Sequence, residues 1–96
     1  MENTIIAAFS NPVRLKLLCC LSKGKKNVRE LIENCNLAQS AVSQHLLKLK
    51  KAGLIKYERE GKYVYYSLTN TKAAFLAHNL YEFAKEVNLQ TANVLQ

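Results

Sequence analysis

The chain has 96 residues, which is enough for one domain and leaves little room for a second. Its formal charge is +7, from 14 Lys and Arg against 7 Asp and Glu, and an excess of this size favours a polyanionic partner. The three cysteines are odd in number and two are adjacent, so they indicate the reducing cytoplasm rather than a disulfide framework, and we find neither a secretory signal nor an apolar run long enough to span a membrane.

Two short helices are predicted at the start of the chain. Residues 2–9 are largely apolar and predict a helical lead-in. Asn11 then supplies an N-cap, and Pro12 occupies the first helical position, where proline is favoured. A helix over 12–22 follows.

A helix-turn-helix is predicted over residues 28–52. Asn27 opens its first helix, over 28–34, in an Asn-x-x-Glu pattern typical of a capping box. A short turn leads to a longer amphipathic helix over 38–52, which Gly53 ends in the left-handed conformation. One face of this second helix is apolar and the other carries short polar side chains, as expected of a helix that reads the major groove of DNA.

The spacing of apolar residues changes from helical to strand-like after the helix-turn-helix. Two runs rich in β-branched and aromatic residues, separated by Glu-Gly, predict a β-hairpin over 54–68. Thr69 or Asn70 then caps a last helix over 70–87. The predicted fold is therefore mainly α with a β-hairpin wing, in the order α-α-α-α-β-β-α, and the whole of 1–96 forms a single winged helix-turn-helix domain.

Five short motifs are distributed over nearly the whole chain. They are NPVRL at 11–15, VREL at 28–31, QSAVSQHL at 39–46, AGLI at 52–55 and GKYVYYSL at 61–68. Together they resemble the ArsR-type winged helix-turn-helix transcriptional repressors. The resemblance implies a homodimer that packs through its first and last helices, 2–9 and 70–87, and blocks a promoter by binding an inverted-repeat operator until an inducer releases it. One departure is Ala38, where the family usually has a capping Ser or Thr.

The first turns of the second helix of the helix-turn-helix carry the predicted base-reading residues. These are Gln39, Ser40, Ser43 and Gln44. Glutamine pairs well with an adenine edge, and serine suits a base or a phosphate, although such a face can also be merely solvated. His45 lies closer to the apolar side, so DNA contact and a buried hydrogen-bonded role are both open for it.

Basic and aromatic residues surround the tip of the predicted wing. Arg59, Lys62 and Tyr63 are placed to contact the minor groove or its phosphates, the alternative being a solvated hairpin end. Three further tyrosines, Tyr57, Tyr65 and Tyr66, are better explained by packing within the hairpin than by base stacking.

The last helix is apolar over a wider arc than it needs for packing on its own domain. This favours a second copy of the chain as a partner. The predicted dimer interface consists of Ile5, Phe9, Leu76, Leu80, Phe83 and Val87.

No metal ion or cofactor is expected. One metal site of the family uses two cysteines in the third helix, but Asn27 and Arg29 stand at the corresponding positions. The residues aligned with a second site, in the last helix, cannot make a tetrahedral zinc centre. His78 and Glu82, four residues apart, are the best ligand pair left, and a lone histidine of this kind is more often structural.

Cys19 is the candidate thiol sensor. It matches the reactive second-helix position of a thiol-sensing mode of the family, but the last helix lacks the partner cysteine. Cys20 points about 100° away on the same helix, and Cys35 could be reached only if the packing allows. A buried cysteine that acts as a small hydrophobe is the favoured alternative for Cys19.

The leading functional hypothesis is a dimeric, sequence-specific transcriptional repressor that binds double-stranded DNA. The alternative is a winged-helix module, or an antirepressor, that binds another protein and has no operator of its own. An enzyme is not expected, because no Ser/His/Asp set, phosphate loop or paired carboxylates stand out in so short a chain.

Overall fold

The computed structural model describes residues 4–95, and the side chains of residues 4–88. Its elements follow the predicted order. They are α1 (Thr4–Ala8), α2 (Pro12–Leu21), α3 (Val28–Cys35), α4 (Gln39–Lys51), β1 (Ile55–Glu60), β2 (Tyr63–Leu68) and α5 (Lys72–Leu95). The mainly helical fold with a two-stranded antiparallel hairpin is thus confirmed, and residues 2 and 3 of the predicted lead-in lie outside the described part.

Three asparagines begin helices in this fold. Asn11 Oδ1 accepts hydrogen bonds from the backbone N–H of Val13 at 2.8 Å and of the next residue at 3.3 Å. Asn27 and Glu30 form the predicted capping box, with Asn27 Oδ1 accepting from Glu30 N at 2.8 Å and Glu30 Oε1 accepting from Asn27 N at 3.0 Å. At the start of α5, Asn70 Oδ1 accepts from the backbone N–H of Lys72 at 2.9 Å.

The core lies where α2 packs between α3, α4 and α5. It is built from leucines of α2, α3 and α4 together with small residues of α5. The largest fully buried side chains are Leu17, Leu18, Leu31, Val42, Leu46 and Leu49. Ala73 and Ala77 let α5 approach α2 closely, so the last helix is anchored at its N-terminal half.

Each of the two helices of the helix-turn-helix is followed by a residue with positive φ. Asn36 has φ 54° and ends α3, and Leu37 N donates to Ile32 O at 3.3 Å across the turn. Gly53 has φ 78° and ends α4, with its N–H donating to Lys50 O at 2.9 Å, as in a Schellman cap. The predicted glycine stop is therefore confirmed.

The wing pairs β1 with β2 in the antiparallel register Ile55 to Leu68 through Glu60 to Tyr63. The loop after α2 adds a single bridge to its edge. Lys26 N donates to Tyr66 O at 3.0 Å, and Tyr66 N donates back to Lys26 O at 2.8 Å. The wing is thereby attached to the chain that leads into α3.

Helix α5 is longer than predicted. It runs to Leu95, eight residues past the expected end near Val87. The reason is that residues 88–95 contain no glycine or proline that would stop a helix. Although α5 has 24 residues, no helix among the described residues is long and apolar enough to cross a bilayer.

Candidate nucleic-acid interface

Helix α4 separates its polar residues from the core. The four predicted base-reading side chains are exposed on one face, while the apolar side chains of the opposite face are buried. The exposed set is Gln39, Ser40, Ser43 and Gln44. A face of short hydrogen-bonding groups on a helix anchored by its other side suits the major groove.

The N-terminus of α4 has no side-chain cap. Ala38 occupies the N-cap position in extended conformation, with φ −72° and ψ 137°, and has no side-chain oxygen that could accept from the first backbone N–H groups. The positive end of the helix dipole is thus available to a DNA phosphate. A capping serine or threonine would have competed for the same N–H groups.

His45 contacts a buried arginine rather than lying with the exposed polar residues. Arg14, only 7% exposed, lies 3.1 Å from His45 Nδ1 through Nη1, and its Nε and Nη2 donate to Ala8 O at 2.9 Å and Ala7 O at 3.0 Å. A guanidinium can only donate, so Nδ1 accepts and the ring proton sits on Nε2. Burial, together with the charges of Arg14 and Lys48, lowers the pKa of His45, which keeps the ring neutral.

The three predicted DNA-contacting residues of the wing are exposed to solvent at its tip. Arg59, Lys62 and Tyr63 are all exposed, and the Lys62 ammonium lies 5.4 Å from the centre of the Tyr63 ring. Glu60, at the same tip, forms an ion pair with Lys25 from the loop after α2. This pairing offsets the charge of a carboxylate that would otherwise repel phosphates at the tip.

Segment 11–57 matches the model of the family described as "Bacterial regulatory protein, arsR family". The biofilm growth-associated repressor of Xylella fastidiosa is 38% identical over 77 residues, which cover 80% of this chain and 68% of the relative. This chain belongs to the ArsR family. The transcriptional activator HlyU of Vibrio cholerae, also 38% identical, matches over 80% of this chain and 74% of its own length.

Solved structures of ArsR-type regulators share the fold. The transcriptional repressor BigR from Xylella fastidiosa superposes with a TM-score of 0.73 at 36% identity, covering 83% of this chain and 82% of that one. A homodimeric winged helix-turn-helix DNA-binding domain from Mycobacterium bovis, Mb0332, gives a TM-score of 0.71 at 28% identity, covering 86% and 77%. The winged helix-turn-helix architecture is therefore established for this ArsR-family chain, whose relatives are transcriptional regulators and not enzymes.

Most of the predicted dimer residues of this ArsR chain are exposed apolar side chains. Leu76 is 59% exposed and Phe83 is 62% exposed. The others that are exposed are Ile5, Leu80 and Val87. Phe9 differs, because it is half-buried and packs against the core of its own chain.

The cysteines depart from the expectation drawn from the sequence. Cys20 and Cys35 form a disulfide, with their Cα atoms 6.7 Å apart, because α3 packs back on α2. Cys19, the candidate sensor, keeps a free, half-buried thiol, and burial raises its pKa. A cleft of about 820 Å³ between α2 and α5 is lined in part by Cys19, Cys20 and His78.

The structure provides no metal site among the residues it describes. His78 lines the cleft, while Glu82 lies 3.6 Å from the ammonium of Lys85 as an ion pair. No group of three or more His, Cys, Asp or Glu side chains in the described part is arranged to hold an ion.

Three contacts near this interface were not predicted from the sequence. They are the Arg14–His45 hydrogen bond, the Lys25–Glu60 ion pair and the Lys26–Tyr66 bridge. For the Arg14–His45 hydrogen bond, the only signal in the sequence was that an arginine stands on the face of α2 that is otherwise apolar and packs on the core. The other two join segments more than 30 residues apart, and nothing in local spacing indicates them.

Proposed function

We propose that this ArsR-family chain is a homodimeric transcriptional repressor that binds an inverted-repeat operator in double-stranded DNA. The observation that supports this most directly is the arrangement of α4: its apolar face is buried, its polar face is exposed, and a basic wing tip is joined to it by β1. The net charge of +7 suits the polyanionic partner. The bacterial cytoplasm, where DNA is found, is the proposed location.

The two parts of the interface have different roles in this proposal. Gln39, Ser40, Ser43 and Gln44 read base edges in the major groove, where each base pair presents a distinct pattern. Arg59 and Lys62, with Tyr63 beside them, hold the wing on phosphates or in the minor groove. His45 orients α4 through Arg14, and only its Nε2–H remains to be offered to DNA.

A second copy of the chain is the proposed partner of α5. Leu76, Leu80, Phe83 and Val87 follow one another at spacings of four, three and four residues, which places them in one row along the helix. Exposed apolar rows of this kind mark interaction surfaces. The Mycobacterium bovis relative is described as homodimeric, which supports the same assembly here.

Repression rather than activation is proposed because relatives of this chain, the biofilm growth-associated repressor of Xylella fastidiosa among them, are named repressors. The Xylella relative is named a repressor and the Vibrio relative an activator, so both outcomes occur among similar chains. A dimer bound across a promoter blocks polymerase by occupancy alone.

Selection of binding sites from random duplex DNA tests this function. We expect an inverted repeat whose half-sites are about one helical turn apart, and binding that weakens steeply with salt. Lys62→Ala should reduce the salt slope by about one, whereas Lys85→Ala, on α5 and far along the chain from the wing, should leave it unchanged. If no sequence were enriched and binding were weak at all salt concentrations, the protein-partner alternative would replace this proposal.

A further inference from the structure

The pairing of Cys20 with Cys35 joins the helix before the helix-turn-helix to the turn itself. Cys20 lies near the end of α2, and Cys35 is the last residue of α3, directly before the left-handed Asn36. We infer that Cys20 and Cys35 form a reversible dithiol–disulfide couple, and that the disulfide fixes the turn that positions α4.

The two sulfur atoms differ in their access to solvent. Cys20 is half-buried and lines the cleft of about 820 Å³ between α2 and α5, so a small oxidant can reach it. Cys35 is only 4% exposed and packs in the core. Cys20 is therefore the thiol that reacts with the oxidant, and Cys35 is the thiol that resolves the product.

A hydroperoxide supplies the oxidant in this scheme. The Cys20 thiol gives its proton to water, and the thiolate attacks the peroxide oxygen. The O–O bond breaks to leave a sulfenic acid on Cys20, and the leaving oxygen takes a proton from water and departs as an alcohol, or as water from hydrogen peroxide. The Cys35 thiol then attacks the Cys20 sulfur, the S–O bond breaks, and water leaves as the disulfide forms. A small dithiol reverses the reaction through exchange at the accessible Cys20 sulfur, becoming a disulfide itself.

The Cys20–Cys35 disulfide lies next to the turn that leads into α4, so its formation affects how firmly that turn is held. The turn after Cys35 is held by the backbone bond from Leu37 to Ile32, and α4 begins at Ala38 without a side-chain cap. A covalent bond from Cys35 to α2 restrains this weakly held segment. The oxidised protein should therefore hold the N-terminus of α4, with its base-reading residues, in a more fixed position than the reduced protein.

The proposed location also favours reversibility. If the chain acts in the cytoplasm, as proposed above, its thiols are kept reduced in the resting state, and disulfides there are usually transient and redox-sensing. The reduced resting state and the effect on DNA binding rest on the proposed function. The formation of the bond does not.

Peptide mapping tests the bond independently of DNA. The full chain is treated with hydrogen peroxide, then with dithiothreitol, and the free thiols are alkylated at each stage and located by mass spectrometry. We expect a Cys20–Cys35 bond that forms with peroxide and opens with dithiothreitol under native conditions. A Cys19–Cys20 bond, a bond between two chains, two thiols that stay reduced, or a bond that resists dithiothreitol would each overturn the inference.

Thermal unfolding and hydrogen exchange test the consequence for the turn. The oxidised protein should melt roughly 10 °C or more above the reduced one, and the amides of residues 36–40 should exchange more slowly. Cys35→Ala should remove both differences, whereas the matched variant Cys19→Ala should keep them. Equal melting and exchange in the two states would contradict the inference.

Binding to one selected duplex tests the effect on DNA. Sites are selected with the reduced and the oxidised protein separately, so that failure of both selections would overturn the proposed function while the mapping still decides the thiol couple. On the same duplex, the oxidised protein should bind at least about threefold more tightly. Equal or weaker binding by the oxidised protein would show that the disulfide does not position α4 for DNA.

Discussion

The guanidinium of Arg14 on α2 and the imidazole of His45 on α4 share a hydrogen bond of 3.1 Å between Nη1 and Nδ1. Through the same side chain, Arg14 also holds the last carbonyl groups of α1. One buried cation thus joins three helices, and one of them is the helix proposed to read DNA. The contact has consequences for pH dependence and for stability.

The free energy of unfolding should fall as the pH is lowered below the pKa of an ordinary histidine. The pKa of His45 is lowered in the folded protein, so the unfolded chain binds a proton first as the pH falls through about 6.5. The free energy of unfolding therefore decreases from about pH 6.5 downwards until the folded ring is protonated, and this contribution is constant above that range. Chemical denaturation between about pH 5 and pH 8 measures it.

Two variants isolate the part of this slope that comes from His45. His45→Asn keeps an acceptor near the position of Nδ1 but cannot titrate, so the slope should become shallower. Asn79→Gln, at an exposed position without a titratable group, should keep the slope of the unmodified protein. An unchanged slope in His45→Asn would show that the titration of His45 does not produce this pH dependence.

Replacement of Arg14 by leucine should destabilise the fold. The change removes the donors to the buried Ala8 O and to His45 Nδ1, whereas Ala7 O keeps its hydrogen bonds from Ser10; the loss of these partners costs about 2 kcal/mol. Urea unfolding measures the loss, and hydrogen exchange should be faster in α1. Lys16→Gln, an exposed position on the same helix, is the control and should stay within about 0.5 kcal/mol of the unmodified protein.

A serine at position 38 should stabilise the chain. Ala38 already has the extended backbone of an N-cap, so Ala38→Ser supplies the missing acceptor and should add about 1 kcal/mol. The melting temperature reports the gain. Ala38→Val offers no acceptor and should give none; a similar rise in both variants would point to packing rather than capping.

A charge in the apolar row of α5 should separate the proposed dimer. Phe83 is 62% exposed in the single chain, so Phe83→Glu should cost the monomer little. In a dimer it would bury an unpaired carboxylate. Sedimentation should show dimers of the unmodified protein and of Lys85→Glu, which changes another face of α5, but monomers of Phe83→Glu. Dimeric Phe83→Glu would place the interface elsewhere.

Local chemistry allowed much of this fold to be predicted from the sequence. Asn27 and Gly53 mark helix ends through hydrogen bonds within a few residues, and the alternation of polar Ser43 with buried Val42 and Leu46 identifies the outward face of α4. Such signals depend only on residues that are neighbours along the chain.

Contacts between distant segments could not be predicted in the same way. The Cys20–Cys35 and Lys25–Glu60 pairs depend on how α2 packs on α3 and how the wing folds back, which no short-range spacing encodes. The end of α5 was missed for a different reason: the apolar period stops near Val87, but nothing in the following residues breaks the helix.

Site selection repeated with Gln44→Ala tests the central claim that α4 reads the DNA sequence. Gln44 is exposed on the polar face of α4, where it can pair with a base edge. The account predicts that the inverted repeat found with the unmodified protein loses preference at one base pair, at symmetric positions in both half-sites, while Lys62→Ala weakens binding and leaves the consensus intact. An unchanged consensus in every single variant of the α4 polar face, Gln39→Ala, Ser40→Ala, Ser43→Ala and Gln44→Ala, would contradict it.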